Sequence, residues 1–148
     1  MTREPITMIR KELTPNDLGL TGSHQVGIVV PKRFAISTFF PLLPYDDVNP
    51  RRVLTFIDAE TGYEVSTNFI YYNNKRRGKT RDEFRMTGIA TYCRSRHAEV
   101  GDSIIMKLLD DGRRTIAVLR ATVAEKTPPD NRVTVVLSDK WVVVGGAK

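Results

Sequence analysis

The chain has 148 residues, 41% of them hydrophobic and 27% charged, with a net charge of +6. A chain of this length buries roughly 70% of its unfolded surface, enough for one core, and the composition is too apolar for a disordered protein. No run approaches the ~20 apolar residues of a membrane span, Met1–Glu4 opens with no signal-peptide pattern, and the lone Cys93 can form neither an internal disulfide nor a zinc site. The expectation is a cytoplasmic, metal-free protein.

In chain order, Ile6–Leu13 reads as a strand, with a helical turn as the alternative. Thr14–Ser23 is a loop by composition, holding Pro15, Asn16, Asp17, Gly19 and Gly22. Gln25–Val30 is a short β-branched strand ended by Pro31, which can also open a helix; Phe34, Ile36, Phe39, Phe40 and Leu43 fit its stripe, to be stopped by Pro41 or Pro44. Arg52–Asp58 and Glu64–Tyr72 alternate with period two around the turn Ala59-Glu60-Thr61-Gly62. Ser103–Leu109 and Thr115–Val123 flank a second turn, Asp110-Asp111-Gly112-Arg113, and Val133–Leu137 and Trp141–Val144 close the chain as short strands. Seven or eight short strands with one or two short helices, and little alternation of strand and helix, predict a mainly β, barrel-like fold. No linker divides the chain, so residues 1–148 read as one domain.

The positive charge is concentrated. From Lys75 to His97 there are eight basic residues (Lys75, Arg76, Arg77, Lys79, Arg81, Arg85, Arg94 and Arg96) against Asp82 and Glu83, a local +6, while the remainder of the chain balances. Charge needed only for solubility would be spread out, so this window reads as a polyanion-binding surface, weighed against a solvated basic loop.

Catalytic patterns fail in turn. Gly78-Lys79-Thr80 follows a strand as a phosphate-binding loop does, but that loop needs a glycine where Asn73 stands. No Asp or Glu is followed by Lys two positions later, and the close carboxylates Asp58/Glu60 and Asp110/Asp111 fall in hairpin turns. Cys93 with His97 as base has only spacing in its favour, because a lone cysteine is more often buried packing.

Two loops are candidates for reading DNA. The first, Thr14–Gln25, is small and polar, with glycines that let backbone amides approach phosphate; its one ring is His24, which read alone is more often structural. The second is Asn73–Arg85. Arg81, Glu83 and Arg85 alternate, so an extended backbone would point all three to one side. Arginine bonds guanine O6 and N7, and a carboxylate accepts from cytosine N4, whereas a purely phosphate-binding loop would exclude Glu83. Base reading is favoured over the alternative, a surface pair of Glu83 with Arg81 or Arg85. Lys75, Arg76 and Arg77 look like phosphate neutralisers.

Leu13–Pro31 and Ile70–Arg85 carry Asn-Asp-x-Gly-x-Thr-Gly-x-His-Gln-Val-Gly, Tyr-Tyr-Asn and Gly-Lys-Thr-Arg-x-Glu-x-Arg. These segments resemble the N-terminal effector-binding domain of EcoRII-type (type IIE) restriction endonucleases, over roughly residues 8–90. The turn Glu99-Val100-Gly101-Asp102 is similar to that of plant B3 DNA-binding domains. The resemblance implies an open B3-like pseudobarrel whose two arms grip double-stranded DNA in the major groove and read 5′-CC(A/T)GG. It further implies a domain that does not itself cut, binds DNA as a monomer without a cofactor, and controls a separate C-terminal nuclease domain, where magnesium would act. Carried over by position, His24, Lys79, Arg81, Glu83 and Arg85 would read bases. Lys11, Asn16, Thr21, Ser23, Gln25, Asn73, Asn74, Lys75, Arg76, Arg77, Thr80 and Phe84 would contact phosphates or support the arms. Phe84 stands where the family pattern leads one to expect a basic residue, and Val29 where it leads one to expect an aromatic; Phe84 would contact a thymine methyl or pack beneath the arm. A stand-alone transcription regulator with the same pseudobarrel is the competing reading, and a small nuclease cutting with magnesium is the third.

Overall fold

The computed structural model describes residues 3–20, 27–73, 82–121, 135–136 and 141–144. The strands are β1 (Met8–Glu12), β2 (Ile28–Val30), β3 (Arg51–Asp58), β4 (Glu64–Tyr72), β5 (Glu83–Thr87), β6 (Ser103–Leu108), β7 (Arg114–Leu119), β8 (Val135–Val136) and β9 (Trp141–Val143). They form one sheet in the order β2-β5-β4-β3-β7-β6-β1-β9-β8. All pairings are antiparallel except β3 with β7. Among the described residues, eight strands of three residues or more, the two-residue β8 and two short helices make up the expected mainly β fold.

Among the described residues the ladder does not close, since β2 ends the sheet on one side and β8 on the other. A side chain crosses the gap instead. Trp141, fully buried on β9, donates its indole N–H to the carbonyl of Val29 on β2 at 3.0 Å and meets Phe34 edge-on at 5.5 Å. A Trp buried here keeps its one donor satisfied, as burial of indole requires. The last strand thus fastens the first edge, which makes the sheet an open pseudobarrel.

Period-two patterning is what builds the core. Along β3 and β4, Leu54, Phe56, Thr67 and Phe69 turn inward while Arg51, Val53 and Ser66 stay outside. A row of rings runs through the interior, with Phe39–Phe40 at 5.0 Å, Phe40–Phe69 at 4.5 Å, Phe69–Phe84 at 5.6 Å and Phe84–Tyr71 at 4.4 Å. Both hairpin turns use glycine at positive φ, Gly62 (78°) and Gly112 (91°).

Two elements depart from the periodicity. The helix α1 covers only Lys32–Ala35, although the apolar stripe runs on to Leu43. Ser37 ends it: its hydroxyl donates to the Phe34 carbonyl at 2.6 Å and accepts from the Phe39 amide at 3.2 Å, so the side chain takes backbone partners that another helical turn would use. The second helix, α2 (Ile89–Ser95), lies where no helix was expected. Gly88 starts it at φ 94°, and Ile89, Tyr92 and Cys93 face the core at helical spacing. Among the described residues no helix is long and apolar enough to cross a membrane.

Candidate nucleic-acid interface

The two suspected loops leave one pair of strands from opposite ends. β2 and β5 are antiparallel, pairing Ile28 with Met86, Val29 with Arg85 and Val30 with Phe84. The first loop enters at Gly27, beside Thr87, and the second at Asp82, at the other end of β5. Five strand steps, from Thr87 to Asp82, separate these entries, about 17 Å at the usual rise.

The first loop stands on a fixed base. Lys11 reaches the Asp17 carboxylate at 2.7 Å with both side chains almost fully buried. Asp17 also accepts from the Thr14 amide, and the Thr14 hydroxyl accepts from the Asp17 amide, a reciprocal pair that holds the turn of residues 14–17. Asn16 is exposed on this turn. At the far end Gly27 has φ +83°, and a Cβ there would sit 2.4 Å from the Met86 carbonyl oxygen. The glycine that ends the His-Gln-Val-Gly segment therefore lets β2 lie against β5.

The second loop is tied at both feet. At the outgoing foot, Asn49 and Asn73 exchange bonds: the Asn49 amide donates to Asn73 Oδ1 at 2.7 Å, and the Asn73 amide donates to Asn49 Oδ1 at 3.0 Å. Asn73 Nδ2 adds a bond to the Asp47 carbonyl at 2.8 Å. At the returning foot, Asp82 accepts from the Tyr71 hydroxyl at 2.5 Å and pairs with Lys32 at 2.9 Å. The bond to Asp82, with burial and its charge behind it, pushes the Tyr71 hydroxyl up to about 12, so Tyr71 stays a donor at any physiological pH.

Arg85 lies midway between the loops. Its Nε meets Glu83 at 2.5 Å and its Nη1 donates to the Gly27 carbonyl at 3.3 Å, with the side chain 4% exposed. The pair of Glu83 with Arg85 is thus formed in the free protein, with Glu83 still 28% exposed. Glu83 and Arg85 do share a face of β5, opposite Tyr72 and Ile70 of β4.

Three positions expected to touch DNA have interior roles here. The Lys11 ammonium is sequestered with Asp17, the Asn73 amide group is used within the protein, and Phe84, 4% exposed, is stacked between Tyr71 and Phe69. Phe84 therefore packs beneath the arm, and the physical reason is common to all three: each alternates onto the inner side of its segment. His24, Lys79, Arg81, Thr21, Ser23, Gln25, Asn74, Lys75, Arg76, Arg77 and Thr80 lie outside the described residues.

The basic window also divides. Arg94 Nη1 reaches the Leu18 carbonyl, and Arg96 pairs with Glu60 and lies 3.8 Å from Asp58. Arg85, Arg94 and Arg96 therefore all have partners within the protein, while the five cations of 74–81 lie outside the described residues. Cys93 is fully buried and its thiol is pushed up to about 12, chiefly by that burial, so it is no nucleophile. Sequence reasoning missed Asn49, Lys32 and Asp82. Tyr71 and Asn73 were visible in Tyr-Tyr-Asn, but nothing in one sequence pairs them with residues so far away.

The open pseudobarrel is B3-like in fold. It aligns with the B3 domain of the UbaLAI restriction endonuclease solved with cognate DNA (TM-score 0.54, 18% identity, 97% of this chain and 89% of that one). It also aligns with the Arabidopsis FUS3–DNA complex (TM-score 0.58, 17% identity, 76% of this chain and 95% of that one). The chain belongs to the family described as "Restriction endonuclease EcoRII, N-terminal", whose model matches residues 2–100. The type II restriction enzyme EcoRII of Escherichia coli is 37% identical over 79 residues, which span 52% of this chain but only 19% of that enzyme.

Proposed function

We propose that this chain is a sequence-specific double-stranded DNA-binding domain that serves as the effector or targeting part of a type II restriction endonuclease. The observation that carries the reading is the pair of loops that leave opposite ends of one ladder about 17 Å apart, a span that admits the ~12 Å width of the major groove between them. Family membership supports the restriction-enzyme context. The resemblance supports 5′-CC(A/T)GG as the target, with His24 on the first arm and Lys79, Arg81 and Glu83 on the second reading bases. Lys75, Arg76 and Arg77 neutralise phosphates, with Thr21, Ser23, Gln25, Asn74 and Thr80 beside the backbone. The domain binds as a monomer, needs no cofactor, and leaves cleavage to a separate nuclease domain with its own magnesium.

Competition binding on short duplexes near physiological salt tests this. A preference of about a hundredfold or more for CC(A/T)GG, lost on changing the outer C and G pairs, is the expected result. Equal binding to every duplex would reduce the site to a basic patch, and magnesium-dependent cleavage by this chain alone would overturn its non-catalytic role.

A further inference from the structure

Resting on that reading, we infer that Tyr71 and Asn73, with Asn49 and Asp82 as their partners, are positioning residues that convert a basic loop into a base-reading one. Tyr72 pairs with Glu83 in the β4–β5 ladder, so Asn73 and Asp82 follow as the next opposed positions, about 5 Å apart. Eight residues, 74–81, separate these two feet in the sequence. Five of the eight are basic. Nonspecific attraction needs only that the charges be near DNA, because phosphate neutralisation has no angular demand. Bidentate contact with a base edge needs the loop's origin and direction fixed.

The structure supplies this fixing twice, by unrelated chemistry. Asn49 adopts φ 49° immediately before Pro50, a backbone region disfavoured for a residue preceding proline. It is held there by the two bonds exchanged with Asn73, and the Tyr71 amide donates to the Pro50 carbonyl at 3.0 Å. A strained residue persists only where its surroundings over-determine it; here the outcome of that strain is a fixed outgoing foot. The returning foot is set by Asp82, gripped between Tyr71 and Lys32, while the Tyr71 ring stacks on Phe84 one residue into β5. Tyr71 thus serves both feet at once, through its amide at one and its hydroxyl at the other.

Asn49→Gly is the cleaner variant at the outgoing foot, because glycine accepts the positive φ and loses only the side chain. Tyr71→Phe removes the hydroxyl and keeps the stack. Each, and the pair together, would be measured on cognate and random duplexes across a salt series, with thermal melts to check folding. The expected result is a fall of about tenfold or more in the cognate-to-random ratio for the double variant. Affinity for random DNA should stay within about twofold, and the salt slope should not change. An unchanged ratio, or equal loss on both duplexes, would overturn the positioning role. Absence of any preference in the parent protein would instead sink the functional reading. If Asn49→Gly fails to fold, Tyr71→Phe alone decides the question.

Discussion

Arg85 separates two accounts of this surface. An arginine that reads a base is presented to solvent in the free protein, and its loss weakens cognate binding by about 1–3 kcal/mol while leaving the domain's own stability almost untouched. The structure instead shows a guanidinium 4% exposed, paired with Glu83 at 2.5 Å and donating to the Gly27 carbonyl. Arg85→Ala would remove a close cationic partner of the Glu83 carboxylate. Breaking a buried pair costs about 3–5 kcal/mol, but Glu83 is 28% exposed and keeps part of its hydration, which favours the lower end. We therefore expect about 3 kcal/mol of destabilisation, seen as a drop of about 1–2 M in the urea midpoint with the slope unchanged. Glu83→Gln in the Arg85→Ala background should cost less than in the parent, a coupling of about 1–2 kcal/mol by double-mutant cycle. Arg85→Ala that leaves the urea midpoint within about 0.3 M while abolishing cognate binding would refute this reasoning. Arg85 would then be a base reader, as its place in the Gly-Lys-Thr-Arg-x-Glu-x-Arg segment suggests.

Two further outcomes follow from burial and close approach. Gly27→Ala places a Cβ 2.4 Å from the Met86 carbonyl oxygen at a φ of +83°, so β2 must shift away from β5. The left-handed backbone and the overpacking together predict a loss of about 3 kcal/mol by denaturation, with weakened DNA binding because the first arm moves; a stability within 1 kcal/mol of the parent would contradict the contact. Cys93, buried and with its thiol raised to about 12, should resist an aromatic disulfide reagent at pH 8 in the native state and react at once in guanidinium. Rapid labelling of the folded protein would show that α2 opens readily.

Local patterns in the sequence determined most of the strands. Arg51–Asp58 and Glu64–Tyr72 each bury one face, so period-two alternation and a glycine turn suffice to locate them. The same reasoning failed for α1, where the stripe from Phe34 to Leu43 is real and all but Ile36 is buried, yet Ser37 turns the chain out of the helix. The excess of positive charge was legible too, but as a window rather than a surface. Linear counting cannot tell that Arg85, Arg94 and Arg96 bind partners within the protein. The family segments were readable as words, but the duties of Tyr71, Asn73 and Gly27 were not. Each depends on a residue brought near only by folding: Asn49 across 24 positions, and Met86 across the β2–β5 ladder. Side-chain type and spacing govern local structure, because propensity and periodicity act over a few residues. Partners distant in sequence are decided by the topology of the sheet, and only the assembled sheet sets which arginine is spent inside and which asparagine holds a loop.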